Sequence, residues 1–290
     1  VFADGRTYFR DSDFHAYLKK QGVERMMPMN GEKKQPEWFR ISGDESFTLY
    51  SKFRRTKGVM DKVGTIAYEL RAEQEQAVSQ TFDYFMSHEK GEFLWNAKPR
   101  FGKTLATYDL CKRLQATKGD YACNILIVTN RPAIANSWYE DFVKFIGTES
   151  GFRFVSEVSA LKGKPFVMSR EEYTESLTKE LADCIEFVSL QDLKGSLYFG
   201  GQHDKLKELV NMQWELLVID EAHEGVDTSK TDVAFHQIKR NHTLHLSGTP
   251  FKALANDKFP SDAIYNWTYA DEQKAKSGWN DLERNNPYEN

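Results

Sequence analysis

From about residue 90 onward, short and nearly continuous apolar runs alternate with stretches in which apolar residues recur every three or four positions. The runs predict strands at Glu92–Asn96, Asn124–Thr129, Ile185–Leu190, Leu216–Asp220 and Thr243–Ser247. Two of them, Ile125-Leu126-Ile127-Val128 and Leu216-Leu217-Val218-Ile219, lack polar alternation, as expected where helices cover both faces of a parallel sheet. The periodic stretches predict helices at Glu73–Ser87, Lys103–Gln115, Pro132–Phe145, Tyr173–Leu181 and His203–Met212. In the first, Gln76, Ala77, Thr81, Tyr84 and Phe85 keep near-helical spacing before the turn-like His88-Glu89-Lys90-Gly91. Strand and helix in alternation define an α/β fold with a parallel sheet flanked by helices.

The two ends read differently. Residues 1–62 hold one helical stretch, Asp11–Lys20, then the Gly-, Pro- and Lys-rich Met29–Pro36, and then Glu37-Trp38-Phe39-Arg40-Ile41. They predict a small N-terminal α+β segment, a unit or a remnant of one, ahead of a lobe spanning 63–254. Residues 255–290 are polar and aromatic with little period and read as a connector.

The chain has 290 residues, 40% hydrophobic and 28% charged, with 18 Gly and 8 Pro. That balance excludes a disordered or fibrous chain and supplies at least one full core. No run approaches the roughly 18 apolar residues of a membrane span. The first residues lack a basic-then-apolar leader, and Cys111, Cys123 and Cys184 lack metal-site spacing, so a reducing, cytoplasmic compartment is expected. The net charge of −4 is unevenly spread, with +4 in residues 1–62 and −8 in the remainder. The two parts therefore present different surfaces.

The strongest chemical signal is Ala97-Lys98-Pro99-Arg100-Phe101-Gly102-Lys103-Thr104, a phosphate-binding loop with Ala in place of the first Gly. A strand pattern precedes it and a helical pattern follows, which is the order the chemistry needs. Successive backbone N–H groups and the start of the next helix would face the phosphates, Lys103 would neutralise their outer oxygens, and the Thr104 hydroxyl would ligate Mg²⁺. Gly102 would let the backbone approach the nucleotide. The second signal is the apolar strand that ends in Asp220-Glu221-Ala222-His223. At the carboxyl edge of a parallel sheet, Asp220 can hold Mg²⁺ and Glu221 can orient or deprotonate an attacking water.

Together these segments resemble motifs I and II of superfamily 2 helicases and translocases, with Asp220-Glu221-Ala222-His223 as a DEAH-type box. Leu70-Arg71-Ala72-Glu73-Gln74 is similar to the element before the first strand in that family, with Ala72 where Pro is usual, and makes Gln74 the adenine reader. Val128-Thr129-Asn130-Arg131-Pro132 with Ser137-Trp138 resembles motif Ia, and Ser189 and Gln191 fall where a second loop touches the nucleic-acid backbone. Ser247-Gly248-Thr249-Pro250 resembles motif III, which couples hydrolysis to strand movement. The resemblance covers about residues 66–270 and implies a RecA-like, P-loop NTPase lobe, the first of two in such motors. It would bind ATP and Mg²⁺ through residues 97–104, Gln74 and Asp220. Lys103, Asp220, Glu221 and His223 would be its catalytic set, and nucleic acid, as double-stranded DNA, would lie across Thr129, Asn130, Arg131, Ser189 and Gln191. Among branches it looks most like the DNA-translocating subunits of type I and type III restriction enzymes. The 40 residues after Pro250 are too few for the second lobe and its arginine finger, which places them elsewhere.

Other candidates are weaker. His15 and Glu37 resemble the tail of a GIY-YIG-type nuclease domain, in which Glu37 would ligate a metal, although an ordinary helix residue and a solvated carboxylate account for them better. His236, His242 and His245 lie on a helix and a strand with no nearby Cys, which favours packing roles over zinc. Trp267, Tyr269 and Trp279 could stack on bases or pack the connector, and Lys162 and Lys164 could meet phosphate or solvent. Three functions stay open on the sequence alone: an ATP-hydrolysing motor lobe, a nucleic-acid-binding module without turnover of its own, and a nuclease fused to a motor.

Overall fold

The computed structural model describes residues 2, 8–26, 38–56, 65–119, 121–130, 132–147, 150–177, 183–220, 235–248, 259–279 and 286–288. Its centre is an eight-stranded sheet built from β1 (Gly91–Ala97), β2 (Asn124–Thr129), β3 (Arg153–Ser156), β4 (Val167–Met168), β5 (Cys184–Ser189), β6 (Trp214–Asp220), β7 (Arg240–Ser247) and β8 (Ile264–Trp267). The spatial order is β4-β3-β5-β2-β6-β7-β1-β8, and every pairing is parallel. Parallel neighbours require crossovers, and the helices that make them cover both faces.

On one face, Ile125, Ile127, Leu216, Val218, Leu244 and Leu246 pack against α3 (Ala72–Ser87), α4 (Lys103–Ala116) and α5 (Ala135–Asp141). On the other, Leu126, Val128, Leu217 and Ile219 meet α6 (Arg170–Leu177), α7 (Leu190–Gly195) and α8 (Lys207–Asn211). Alternate residues of β2 and β6 thus enter opposite cores, which is why these runs are apolar throughout. The three cysteines are buried and free, and burial pushes the Cys123 thiol up to about 12.

All five predicted strands are present. Three further strands, β3, β4 and β8, were not legible because they hold only two to four residues each. The segment read as a connector is corrected here. Ile264–Trp267 pairs with β1 in register, Leu94 opposite Ile264 and Ala97 opposite Trp267, so the sheet extends past residue 254. A helix that we number α9, Tyr269–Gly278, follows, started by Thr268, whose hydroxyl accepts from the Asp271 N–H.

The N-terminal segment contains two helices where one was expected, α1 (Asp11–Lys20) and α2 (Gly43–Thr56), with an antiparallel bridge from Arg25 to Phe39. Phe2, Tyr17 and Phe53 form its own small core with Phe9, Phe14 and Leu49. His15 packs beside the Phe39 ring at 5.1 Å, and Glu37 lies outside the described residues. No helix among the described residues is long and apolar enough to cross a membrane.

Candidate functional site

β1 carries the chain to the carboxyl edge of the sheet at Ala97, where the loop 98–102 turns it into α4. Gly102 makes the turn in the left-handed region at φ 82°, ψ 39°. A Cβ there would collide with the Gln74 side-chain amide, so conformation and space both demand glycine. Arg100 also has positive φ, 69°, a conformation that costs a non-glycine residue on the order of 1 kcal/mol.

Four groups hold this strained loop. The Phe101 ring is buried between Trp95, Tyr265 and Trp267, with centroids 6.1 to 6.4 Å apart, so Phe101 anchors the loop and offers a ligand only its backbone. Its carbonyl accepts from Gln74 Nε2 at 2.8 Å and from Arg71 Nη2 at 2.6 Å. Lys98 donates its backbone N–H to the Trp267 carbonyl and pairs with Glu272 of α9. Lys103 turns its ammonium into the loop, 2.8 Å from the Ala97 carbonyl and 3.4 Å from that of Lys98. Pro99 and Arg100 form the exposed rim.

The first turn of α4 has no side-chain cap and no acidic residue. The start of the helix, with the positive end of its dipole, therefore lies at the mouth of the loop beside Lys103 and the half-buried Thr104. A helix start beside a lysine is an electropositive setting of the kind that suits anions.

Asp220 ends β6 on the same edge. The order β6-β7-β1 puts it two strand spacings, about 10 Å, from the strand that feeds the loop. A phosphate chain with its cation spans such a gap. Asp220 is 7% exposed, and its Oδ2 accepts from Trp138 Nε1 at 2.9 Å. Ser247, between them at the end of β7, is fully buried opposite Asn96, and Gly248 follows at the edge. The two candidate metal donors, the Thr104 hydroxyl and the Asp220 carboxylate, are hard oxygens suited to Mg²⁺. Glu221, His223 and Thr249 lie outside the described residues.

Gln74 is 2% exposed, and both ends of its amide are engaged, because Oε1 accepts from the Arg71 N–H at 2.9 Å. Beside it is a contact the sequence did not announce. Tyr288 donates to buried Glu73 at 2.7 Å, and the Arg71 guanidinium lies 5.9 Å from its ring. Burial, with that hydrogen bond, pushes the Tyr288 phenol up to about 12.

The backbone-contact candidates divide. Thr129 and Ser189 face each other in register across β2 and β5, and both are buried. Ser189 caps α7, accepting from the Asp192 N–H at 3.0 Å and donating to its carboxylate at 2.6 Å. Asn130 is half-buried, Gln191 is exposed, and Arg131 lies outside the described residues. Trp138, grouped with motif Ia, is 1% exposed and faces Asp220, so it does not belong to a nucleic-acid-facing surface. Lys164 donates to Asn136 at 2.7 Å and lies over the Tyr139 ring.

Of the histidines, His242 stacks on Phe85 at 4.4 Å, and His245 lies 3.4 Å from Glu92. Trp267 packs the loop, Tyr269 lies under the Lys98 ammonium, and Trp279 meets Tyr288 edge-on. Among the described residues no group of three His, Cys, Asp or Glu side chains could hold a metal ion by itself.

An all-parallel sheet flanked by helices, whose carboxyl edge gathers a glycine-turned loop before a helix and an acidic strand end, is the architecture of a RecA-like α/β lobe. Residues 67–252, well over half of the chain, match the family described as type III restriction enzyme, res subunit, and the chain belongs to that family. It is 26% identical over 255 residues to a Mycoplasma pneumoniae protein named for the C-terminus of a type II restriction enzyme and methyltransferase. That match covers 73% of this chain and 33% of the relative, so the chain spans about a third of that protein's length.

Among solved structures, a nuclease-deletion mutant of the type ISP restriction-modification enzyme LlaGI, in complex with a DNA substrate mimic, has a similar fold. Its TM-score is 0.54 at 14% identity, covering 73% of this chain and 21% of that one. The UvsW helicase of bacteriophage T4 gives a TM-score of 0.46 at 15% identity, covering 75% and 67% of the two chains.

Proposed function

We propose that this lobe binds ATP with Mg²⁺ and, within its full-length protein, hydrolyses it in response to duplex DNA as the first motor lobe of a restriction-type translocase. The observation that carries the reading is the meeting of the loop around Lys103 and the Asp220 strand end on one sheet edge, at a helix N-terminus with no cap. The residues fit the ligand, since Lys103 brings positive charge to a helix start with no side-chain cap and Thr104 and Asp220 supply hard oxygens. Thr104 and Asp220 would hold Mg²⁺, which would supply positive charge against the phosphates.

Lys103 contributes the mobile positive charge of the loop, and its bonds to two loop carbonyls are exchangeable for phosphate oxygens. Gln74 retains one donor and one acceptor position on its amide, the pair that matches the exocyclic amine and N7 of adenine. Glu221, next to the metal carboxylate, is assigned the orienting or deprotonation of water, with His223 completing the box. Duplex DNA is assigned to the edge formed by the ends of β2 and β5, where Asn130, Arg131 and Gln191 would meet phosphates while Thr129 and Ser189 shape the loops beneath. Ser247, Gly248 and Thr249 would link the two sites. Affinity resting on phosphate contacts falls steeply with salt, with a slope of about −0.9 per phosphate neutralised.

Equilibrium titration with a fluorescent ATP analogue tests the assignment. Lys103→Ala is expected to weaken binding at least about tenfold, the loss of a charge-assisted bond, and an unchanged affinity would overturn it. In the full-length protein, Glu221→Gln is expected to bind ATP normally and stop turning it over.

A further inference from the structure

We infer that Trp138 is a positioning residue for Asp220, fixing the orientation in which that carboxylate meets Mg²⁺; the inference rests on the reading of Asp220 as the metal carboxylate. The indole N–H is a donor only, and it lies 2.9 Å from Asp220 Oδ2 with both side chains nearly excluded from solvent. The indole N–H engages one of the two carboxylate oxygens. A charge-assisted bond from a rigid ring, formed where water cannot compete, selects one orientation.

The ring is held in turn. The Trp138 carbonyl accepts from the Tyr108 hydroxyl at 2.6 Å, the two rings meet edge to face at 5.4 Å, and Phe187 closes the far side at 6.5 Å. Tyr108 belongs to α4, the helix that begins at Lys103. Rigid contacts therefore join the phosphate-binding helix, the Trp138 indole and Asp220, and they set the two halves of the site at a fixed separation. Groups that orient metal ligands typically change metal affinity by 10–100-fold when removed.

The test is the Mg²⁺ dependence of nucleotide binding by residues 1–290. Trp138→Phe keeps an aromatic ring and removes the N–H. The variant is expected to bind a fluorescent ATP analogue in EDTA within about twofold of wild type, while its half-saturating Mg²⁺ rises about tenfold or more. An unchanged Mg²⁺ dependence, or an equal loss with and without Mg²⁺, would overturn the proposal. Lys103→Ala in the same titration separates the two readings. If that variant binds like wild type, the nucleotide site itself is misassigned, whatever Trp138 does.

A second measurement does not require the Phe variant to fold. In wild-type protein labelled with ¹⁵N at its six tryptophans, one slowly exchanging indole resonance is expected to move when Mg²⁺ is added to the analogue complex. The same resonance is expected to move in Asp220→Asn, and the absence of any indole signal that answers both changes refutes the assignment.

Discussion

Gln74 ties the helix before the first strand to the phosphate loop, donating from Nε2 to the Phe101 carbonyl at 2.8 Å while the Arg71 N–H fixes its oxygen at 2.9 Å. The amide cannot flip without losing both bonds, so its remaining donor and acceptor are presented in one order. Gln74→Glu would set a carboxylate oxygen against the Phe101 carbonyl. Competitive titration of ATP against GTP is expected to show the wild-type preference for adenine reduced about tenfold in Gln74→Ala, with weaker binding of both in Gln74→Glu. Equal selectivity in all three proteins would remove Gln74 from base recognition.

Gly102→Ala tests the loop's geometry. The substitution forces a side chain into positive φ and against the Gln74 amide, which costs about 1–2 kcal/mol from backbone strain alone. For a chain of this size that corresponds to a fall in Tm of several degrees, measured by thermal melting, together with loss of nucleotide binding.

Glu186, near the middle of β5, is 1% exposed, and burial pushes its carboxyl up to about 7 although Arg170 is paired with it. A raised pKa means that the folded state holds the proton longer than the unfolded one. The stability Glu186 provides is thus complete below pH 4.5 and is lost as pH rises to about 7. Relative to Glu186→Gln, wild type is expected to lose about 3 kcal/mol across that window, read from urea unfolding at pH 4.5, 5.5, 7 and 8. His242 works in the opposite direction, because burial lowers its pKa and its contribution is lost on acidification. Only the difference between wild type and variant isolates Glu186. Parallel curves for the two proteins would show that Glu186 is not the group titrating.

Of the five central strands, β2 and β6 were the most legible because each holds a continuous apolar run that two helical layers bury, while β1, β5 and β7 were read from shorter or interrupted apolar runs. The residues at their starts were not. Glu215 and the polar Arg240-Asn241-His242 obscured the first turns of β6 and β7, although Glu215 is buried with Lys118 and Asn241 as partners. The loop and the acidic strand end could be read because backbone geometry and charge dictate their residues almost one by one. Trp138 could not, since its motif suggests a surface contact while its role is set by a partner 82 residues away. Tyr288 next to Glu73 was illegible for the same reason, a contact across 215 residues.

β8 gives the strand that delivers the phosphate loop a neighbour on its outer side. Cutting the chain at residue 254 would turn β1 into an open edge, with its hydrogen-bonding groups offered to any passing strand and Phe101 stripped of two aromatic walls. A truncation at 254 is expected to self-associate in sedimentation experiments, whereas one that retains residues through 288 stays dispersed. Any expression boundary chosen for this lobe therefore belongs beyond the helix that ends at Gly278, and a pull on the chain there would be felt as shear along the very strand that leads into the loop at 98–102.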